Sequence, residues 1–474
     1  MYDAKKDDKK GCMLGGTRGR GTKKCQDGGG GGGATHSPTT DGWTLPGASA
    51  AGIIGLVAAA PALAVTGEVM VGDWAGVECH RMPTATTPKC GGGGRRAIAR
   101  FRGMRLRSGE RRTLEDNDLS LIAQMDPQPW MSVDKDGHLK RLLVPRSAGS
   151  ENNTIVREYI KSVFGNLGWH AEEDTFTGKT PEGVIQFTNL IFTFNPEGAA
   201  TKLVMAAHHD SKWFPDYPAN QFVGATDSAA PCAMLLDLAE AVTPALQARK
   251  TRLAAAAAAR KNSNNDDDGW DENDDDDDFD EQEAAQTTLQ FIFFDGEEAF
   301  HDWTATDSIY GSRHLAAQWE STFLPPTHAY QPLARRRMDP TPTELSTIEH
   351  LVLLDLLGAA QPRVMQWYKE TGWLFNEMRE ADVRLRESRV GVFGADGGGA
   401  EWFSQLSFGG SIEDDQVPFI ERGVNVLHVI PYPFPSVWHT INVRPILRFH
   451  TSHAQPVSSR HPQSLLAFPH LPAL

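Results

Sequence analysis

Phe291-Ile292-Phe293-Phe294-Asp295-Gly296-Glu297-Glu298 is the stretch from which the fold can be read. Four large apolar residues in succession read as a strand covered on both faces, and Asp295-Gly296 reads as the turn that ends it. Two adjacent carboxylates then stand just beyond the strand's C-terminal end. In open α/β sheets that edge is where ligands bind. Paired acids there make sense if one of them holds a cation while its neighbour moves protons.

Working outward, other apolar runs end in the same kind of residue. Leu203–Ala207 is followed by His208, His209 and Asp210, and a loop beyond them leads to Gly224-Ala225-Thr226-Asp227. Leu351–Leu354 runs into Asp355, and Val424–Ile430 is followed by Trp438-His439. A single His or Asp after a strand is usually a cap or a solvated group. Several at one rim repel one another unless a cation neutralises them. Oxygen and imidazole ligands suit zinc, three protein ligands leave a fourth position open, and the absence of a nearby cysteine argues against a structural site.

The periodicities predict helices over 154–167, 229–242, 312–320 and 367–386, and strands over 184–194, 203–207, 289–294, 351–356 and 424–430. Strands alternating with helices predict an α/β fold, a single domain whose central sheet is mostly parallel and flanked by helices. The domain is expected over 114–440. Residues 249–286, an Ala run followed by an Asn/Asp-rich acid block, read as a solvated insertion, which loop-closure entropy tolerates. The segment Asp266–Glu283 holds 13 acids and no base, so it accounts for nearly all of the net charge of −15 and says nothing about the partners of the folded part. No basic nucleic-acid-binding module is present. Residues 1–113, with an unbroken Gly28–Gly33 run, are expected to be a disordered lead. Within them the uncharged apolar segment 48–65 reads either as a signal or membrane anchor or as an Ala/Gly linker. The tail 441–474 is irregular and rich in His, Pro and Ser.

Five stretches together, Gly224–Met234, Phe293–Phe300, Tyr310–Ala316, Leu353–Ala359 and Phe434–Thr440, resemble the animal-type glutaminyl-peptide cyclotransferases, relatives of the zinc aminopeptidases. The likeness runs from about 115 to 440. It implies a zinc aminopeptidase-like fold with one zinc per chain held by Asp227, Glu298 and His439. It implies Glu297 as general acid/base, with Asp355 and Asp414 in a proton-linked network. Trp303, His428, Phe434 and Trp438 would line the substrate pocket, and His208 and Asp210 match a His-x-Asp that belongs to the metal site of the aminopeptidases. The implied reaction converts the N-terminal glutamine of a peptide or protein to pyroglutamate with loss of ammonia, with N-terminal glutamate as a further substrate. The implied setting is a monomer in the secretory pathway, secreted or Golgi-anchored. An aminopeptidase of the same fold, using Glu297 on a metal-bound water, is the alternative, and a binding protein that has lost its metal is a third. Ala207 stands where many relatives carry the partner of the cysteine matching Cys232, so no disulfide is expected there. Glu413 and Gln416 stand where relatives commonly carry Gln and His.

Overall fold

The computed structural model describes residues 133, 136–262, 286–359, 361–388, 401–407 and 410–441. The 48–65 segment, the acid block 266–283 and the tail beyond 441 lie outside them. All described residues fall in one compact unit.

Helices α1 (His138–Leu142) and α2 (Glu151–Leu167) lead into strands β1 (His170–Thr180), β2 (Gly183–Thr193) and β3 (Thr201–His208). A π-helical turn over Ala225–Ala229 then opens α3 (Ala230–Asn262). The chain continues through β4 (Thr287–Phe294), α4 (Tyr310–Ser321), α5 (Gln331–Arg336), β5 (Ile348–Leu354), β6 (Val364–Gln366), α6 (Gly372–Ser388), β7 (Phe403–Ser407), α7 (Val417–Ile420) and β8 (Val426–Val429). The main sheet has the order β1-β2-β4-β3-β5-β8. Strands β4, β3, β5 and β8 run parallel, and β1 and β2 pair antiparallel at one edge.

Strand periodicity explains the two cores. In β4, Phe291 and Phe293 join Leu203, Met205 and Ala207 of β3 in a cluster with α2, α3 and α6. The alternate residues Ile292 and Phe294 join Val204 and Ala206 in a second cluster with Leu315 and Trp319 of α4. Both faces of the central strands are therefore covered, so every position of β4 is buried and the sequence there does not alternate. Start and stop signals are chemical. The Ser150 side chain accepts a hydrogen bond from the Asn153 backbone N–H at the start of α2, and Gly168, in the left-handed conformation, ends that helix.

Three expectations need correction. The helix predicted to end at 242 runs to Asn262, so the first part of the 249–286 segment is helix and not solvated loop. Alanine has the strongest helix propensity, and the Ala254–Ala259 run propagates α3. The helix predicted from 367 begins at Gly372, after the short strand β6. Strand β1 went unpredicted because its outer positions are mostly polar and exposed, and its place is fixed by the full ladder to β2. Among the described residues, the one helical stretch apolar and long enough to cross a membrane, Ala219–Ala258, is 78% buried in its most apolar window, as a core helix would be.

Candidate active site

Register brings the chemistry to one edge. His208, the last residue of β3, lies opposite Phe294, the last of β4, and Leu353 of β5 lies opposite His428 of β8. The residues that follow these strand ends therefore share the C-terminal rim of the sheet.

The turn after β4 is held by groups buried beneath it. Both oxygens of Asp210 accept backbone N–H bonds, from Glu297 at 3.2 Å and Glu298 at 3.3 Å. Asp295 accepts from Thr188 N at 2.8 Å and from Asn153 Nδ2 at 3.0 Å. Gly296 has φ 74°, and a Cβ there would run into the Phe187 ring, so the turn requires glycine. Asp227 sits in the π-turn after β3, which begins at Gly224 with φ 47°.

Among the described residues, two groups of side chains could hold a cation, His208/Asp227/Asp355 and Asp227/Glu298/His439, the ligand atoms of each lying within 4.8 Å of one another. In the second group His439 Nε2 is 3.3 Å from Asp227 Oδ2 and 3.2 Å from Glu298 Oε1. Ligands about 2.0–2.1 Å from a tetrahedral zinc are separated by about 3.3–3.4 Å, so these edges and this O, O, N donor set fit the ion. His439 takes φ 54°, unusual outside glycine, and its ring stacks on Trp438 at 4.1 Å between centroids. In the first group His208 Nε2 is 3.0 Å from Asp227 Oδ1 and 3.5 Å from Asp355 Oδ1, while Nδ1 is 3.3 Å from Asp210.

The electrostatics are those of crowded acids. Burial would raise Asp227, but hydrogen bonds from His208 and His439 hold it well below the carboxylate range. Burial would lower His439, but Asp227 and Glu298 hold it up at about 9. Glu297 is pushed well above its usual value by burial and then by Asp414, Glu298 and Asp415, against the opposing pull of His208. Asp355 is raised to about 6 by burial and Asp414, and the Ser228 hydroxyl donates to it. A carboxyl held up in this way can carry a proton near neutrality, as a general acid/base must.

The other anticipated residues fall into two sets. Trp303 and Trp438 are each 40% exposed, Phe434 packs edge-on against Trp438 at 5.0 Å, and the Trp303 indole donates to Glu413, the residue before Asp414. His428, anticipated on the pocket wall, is 1% exposed within β8 and bonds Asp414 Oδ2 through Nε2 at 2.8 Å. Asp414 also accepts from Asp415 N at 2.6 Å. Cys232 forms no disulfide; its thiol donates to His208 O at 3.0 Å.

Sequence reasoning missed Arg146, Lys212, Ser228 and Asp295. Lys212 Nζ lies 3.5 Å from Glu298 Oε2 and donates to Ala299 O at 2.7 Å. Ser228 and Asp295 lie inside motifs already singled out, so adjacency was an available signal. Arg146 gave none.

Residues 189–442 match the family model for peptidase family M28. The chain is 38% identical over 322 residues to the glutaminyl-peptide cyclotransferase-like protein of Bos taurus, spanning 68% of this chain and 70% of that one. It is 35% identical over 309 residues to the glutaminyl-peptide cyclotransferase of Drosophila melanogaster, spanning 64% and 71%. The crystal structure of Macrostomum lignano glutaminyl cyclase is similar at 36% identity and a TM-score of 0.49, covering 67% of this chain and 86% of that one. With a family model that spans more than half of its length and curated relatives aligned over more than two thirds of theirs, the chain belongs to peptidase family M28 and, within it, to the glutaminyl-peptide cyclotransferases.

Proposed function

We propose that this enzyme cyclises the N-terminal glutamine of peptides to pyroglutamate, releasing ammonia, at the rim formed by Asp227, Glu297, Glu298, Asp355, Asp414 and His439. The observation that carries this reading is the raised, buried Glu297 carboxyl beside a three-ligand site of zinc dimensions. Asp227, Glu298 and His439 would hold one zinc per chain. Zinc bound there supplies a Lewis acid for the carboxamide carbonyl of the glutamine side chain.

The nucleophile is the substrate's own α-amine, so the protein supplies orientation and proton transfer. Ring closure within one bound molecule profits strongly from orientation. Trp303, Phe434 and Trp438 provide an apolar collar that fits the first residue or two. Glu297 accepts the proton that the α-amine loses on attack and returns it to the departing amide nitrogen, which leaves as ammonia. Asp414, with Glu298 and Asp415, holds the negative environment that keeps Glu297 proton-competent, Asp414 also raises Asp355, and Asp414 is fixed in turn by His428.

One observation favours the aminopeptidase reading, the other ligand group His208/Asp227/Asp355, which offers room for another metal. The names of the relatives above support cyclisation. Incubation with a Gln-initiated tripeptide separates the two. Ammonia release with a product 17 Da lighter and an intact peptide chain (a loss of one NH₃ from the substrate) supports cyclisation, and release of free amino acid refutes it. We also place the enzyme in the secretory pathway, on the strength of the uncharged 48–65 segment preceded by basic residues.

A further inference from the structure

The mouth of the site carries a charge that the reaction does not use. Trp303 lies five residues beyond Glu298 in the chain, and its indole Nε1 donates to Glu413 Oε2 at 3.1 Å. Glu413 directly precedes Asp414, so one short segment turns an inner carboxylate towards Glu297 and Asp355 and an outer one towards the entrance. Glu413 is exposed, and so is Trp303. The partner in this contact is a neutral N–H, which orients the carboxylate without cancelling its charge. The same bond orients the indole. The carboxylate lies at the N–H edge of the indole and Trp303 is 40% exposed, so an ammonium or guanidinium group paired with that carboxylate can also reach over the exposed ring and gain from both.

We propose that Glu413 and Trp303 form a subsite for the residue that follows the substrate's glutamine, and that this subsite selects lysine or arginine there. The proposal rests on the cyclisation reading, which places glutamine against the inner acids and so leaves the next side chain at the entrance. Exposure keeps the effect modest, about three- to tenfold between a cationic and a neutral residue. A contact made equally in ground and transition states appears in KM and leaves kcat unmoved. Because the charge is solvated, it weakens as salt is raised.

The test measures ammonia release from three peptide amides, Gln-Lys-Ala, Gln-Ala-Ala and Gln-Glu-Ala, by the wild type and by Glu413→Gln, at low and high sodium chloride. Ratios of kcat/KM within each enzyme are compared, so a general loss of activity cancels. The expected wild-type order is Lys above Ala above Glu, expressed in KM and flattened by salt, with the ratios collapsing towards one in the variant. Equal rates for the three peptides in the wild type, or an unchanged preference in Glu413→Gln, overturn the subsite while leaving cyclisation intact. Absence of ammonia from all three overturns the cyclisation reading and the subsite with it.

Discussion

Replacing Arg146 with methionine should destabilise the fold by about 4 kcal/mol, although the residue lies outside every motif. Its guanidinium is fully buried and donates to five backbone carbonyls, His209 O at 2.8 Å, Leu142 O at 3.2 Å, Val144 O at 3.4 Å, Gly224 O at 3.3 Å and Val223 O. Leu142 O keeps Val144 N as a partner, and Gly224 O keeps Asp227 N and Ala229 N. His209 O and Val223 O are the two most dependent on the arginine. Each buried acceptor left without a donor costs about 1–3 kcal/mol, about 4 for the pair, while the desolvation cost that removal of the buried guanidinium relieves is countered by loss of its attraction to Asp210, Asp227 and Glu298. Those two carbonyls belong to the loops that carry Asp210 and Asp227. The variant should therefore also release zinc to a competing chelator more readily. The assay is urea unfolding followed by tryptophan fluorescence, with stability taken by linear extrapolation. Arg146→Lys, which brings a single ammonium where a fork is needed, should fall between the two. A loss below about 1 kcal/mol for Arg146→Met, at unchanged denaturant dependence, would refute the reasoning that these loops hang on one side chain.

Glu297→Gln should lower kcat by about 10²- to 10⁴-fold while the protein still binds zinc stoichiometrically, since it removes proton transfer and leaves the ligands in place; metal analysis alongside ammonia release checks both halves. Chelation should abolish activity and lower the melting temperature, and added zinc should restore both, because an ion bound only to the native state stabilises it by mass action. His350 is pushed down to about 4 from 6.5 by burial and then by Arg337. The unfolded chain takes up its proton first as pH falls, so stability should drop between about pH 6.5 and 4 and level off below. The pKa difference would be worth about 3 kcal/mol in full burial and, with the ring partly exposed, about 2. Subtracting the pH profile of His350→Leu isolates this term, and parallel profiles would count against it. Gly224→Ala should cost several kcal/mol, since Gly224 has φ 47° and an added Cβ would meet Asp227 O and, at 3.2 Å, the Ser211 side chain; thermal melting reads it directly.

The rim was legible because strand ends announce themselves locally. Phe291–Phe294 is apolar at every position because both faces of β4 are covered, and the acids that follow can stand only at its C-terminal end. Parallel pairing then aligns His208, Glu297, Asp355 and the segment after β8 without further information. What depends on distance between remote segments was not legible. Arg146 serves carbonyls 63, 77 and 78 positions away along the chain, and nothing in its neighbours reveals that. His428 sits in an apolar strand, and its bond to Asp414, 14 positions away, could not be read from the strand itself. The Ala254–Ala259 run was read by its low complexity, whereas its helix propensity carries α3 on to Asn262.

The charge inventory of the rim ties these observations to a bound cation. Asp210, Asp227, Glu297, Glu298, Asp355, Asp414 and Asp415 are all buried there, while His208, His439, Lys212 and the more distant Arg146 supply the positive charge. The acids nearest those bases are satisfied: Asp210 and Asp227 are held below their ordinary range. The excess falls on Glu297 and Asp415, which are driven well up, and on Asp355, raised to about 6. A divalent ion among Asp227, Glu298 and His439 would relieve that excess and compete with the proton that these acids now hold on His439. It would thereby leave Glu297, which lies outside the ligand set, as the carboxyl whose protonation the remaining acids control. On this account the two adjacent glutamates differ in role because their neighbours differ: Glu298 faces His439 and Lys212, whereas Glu297 is surrounded by carboxylates with His208 as its near base.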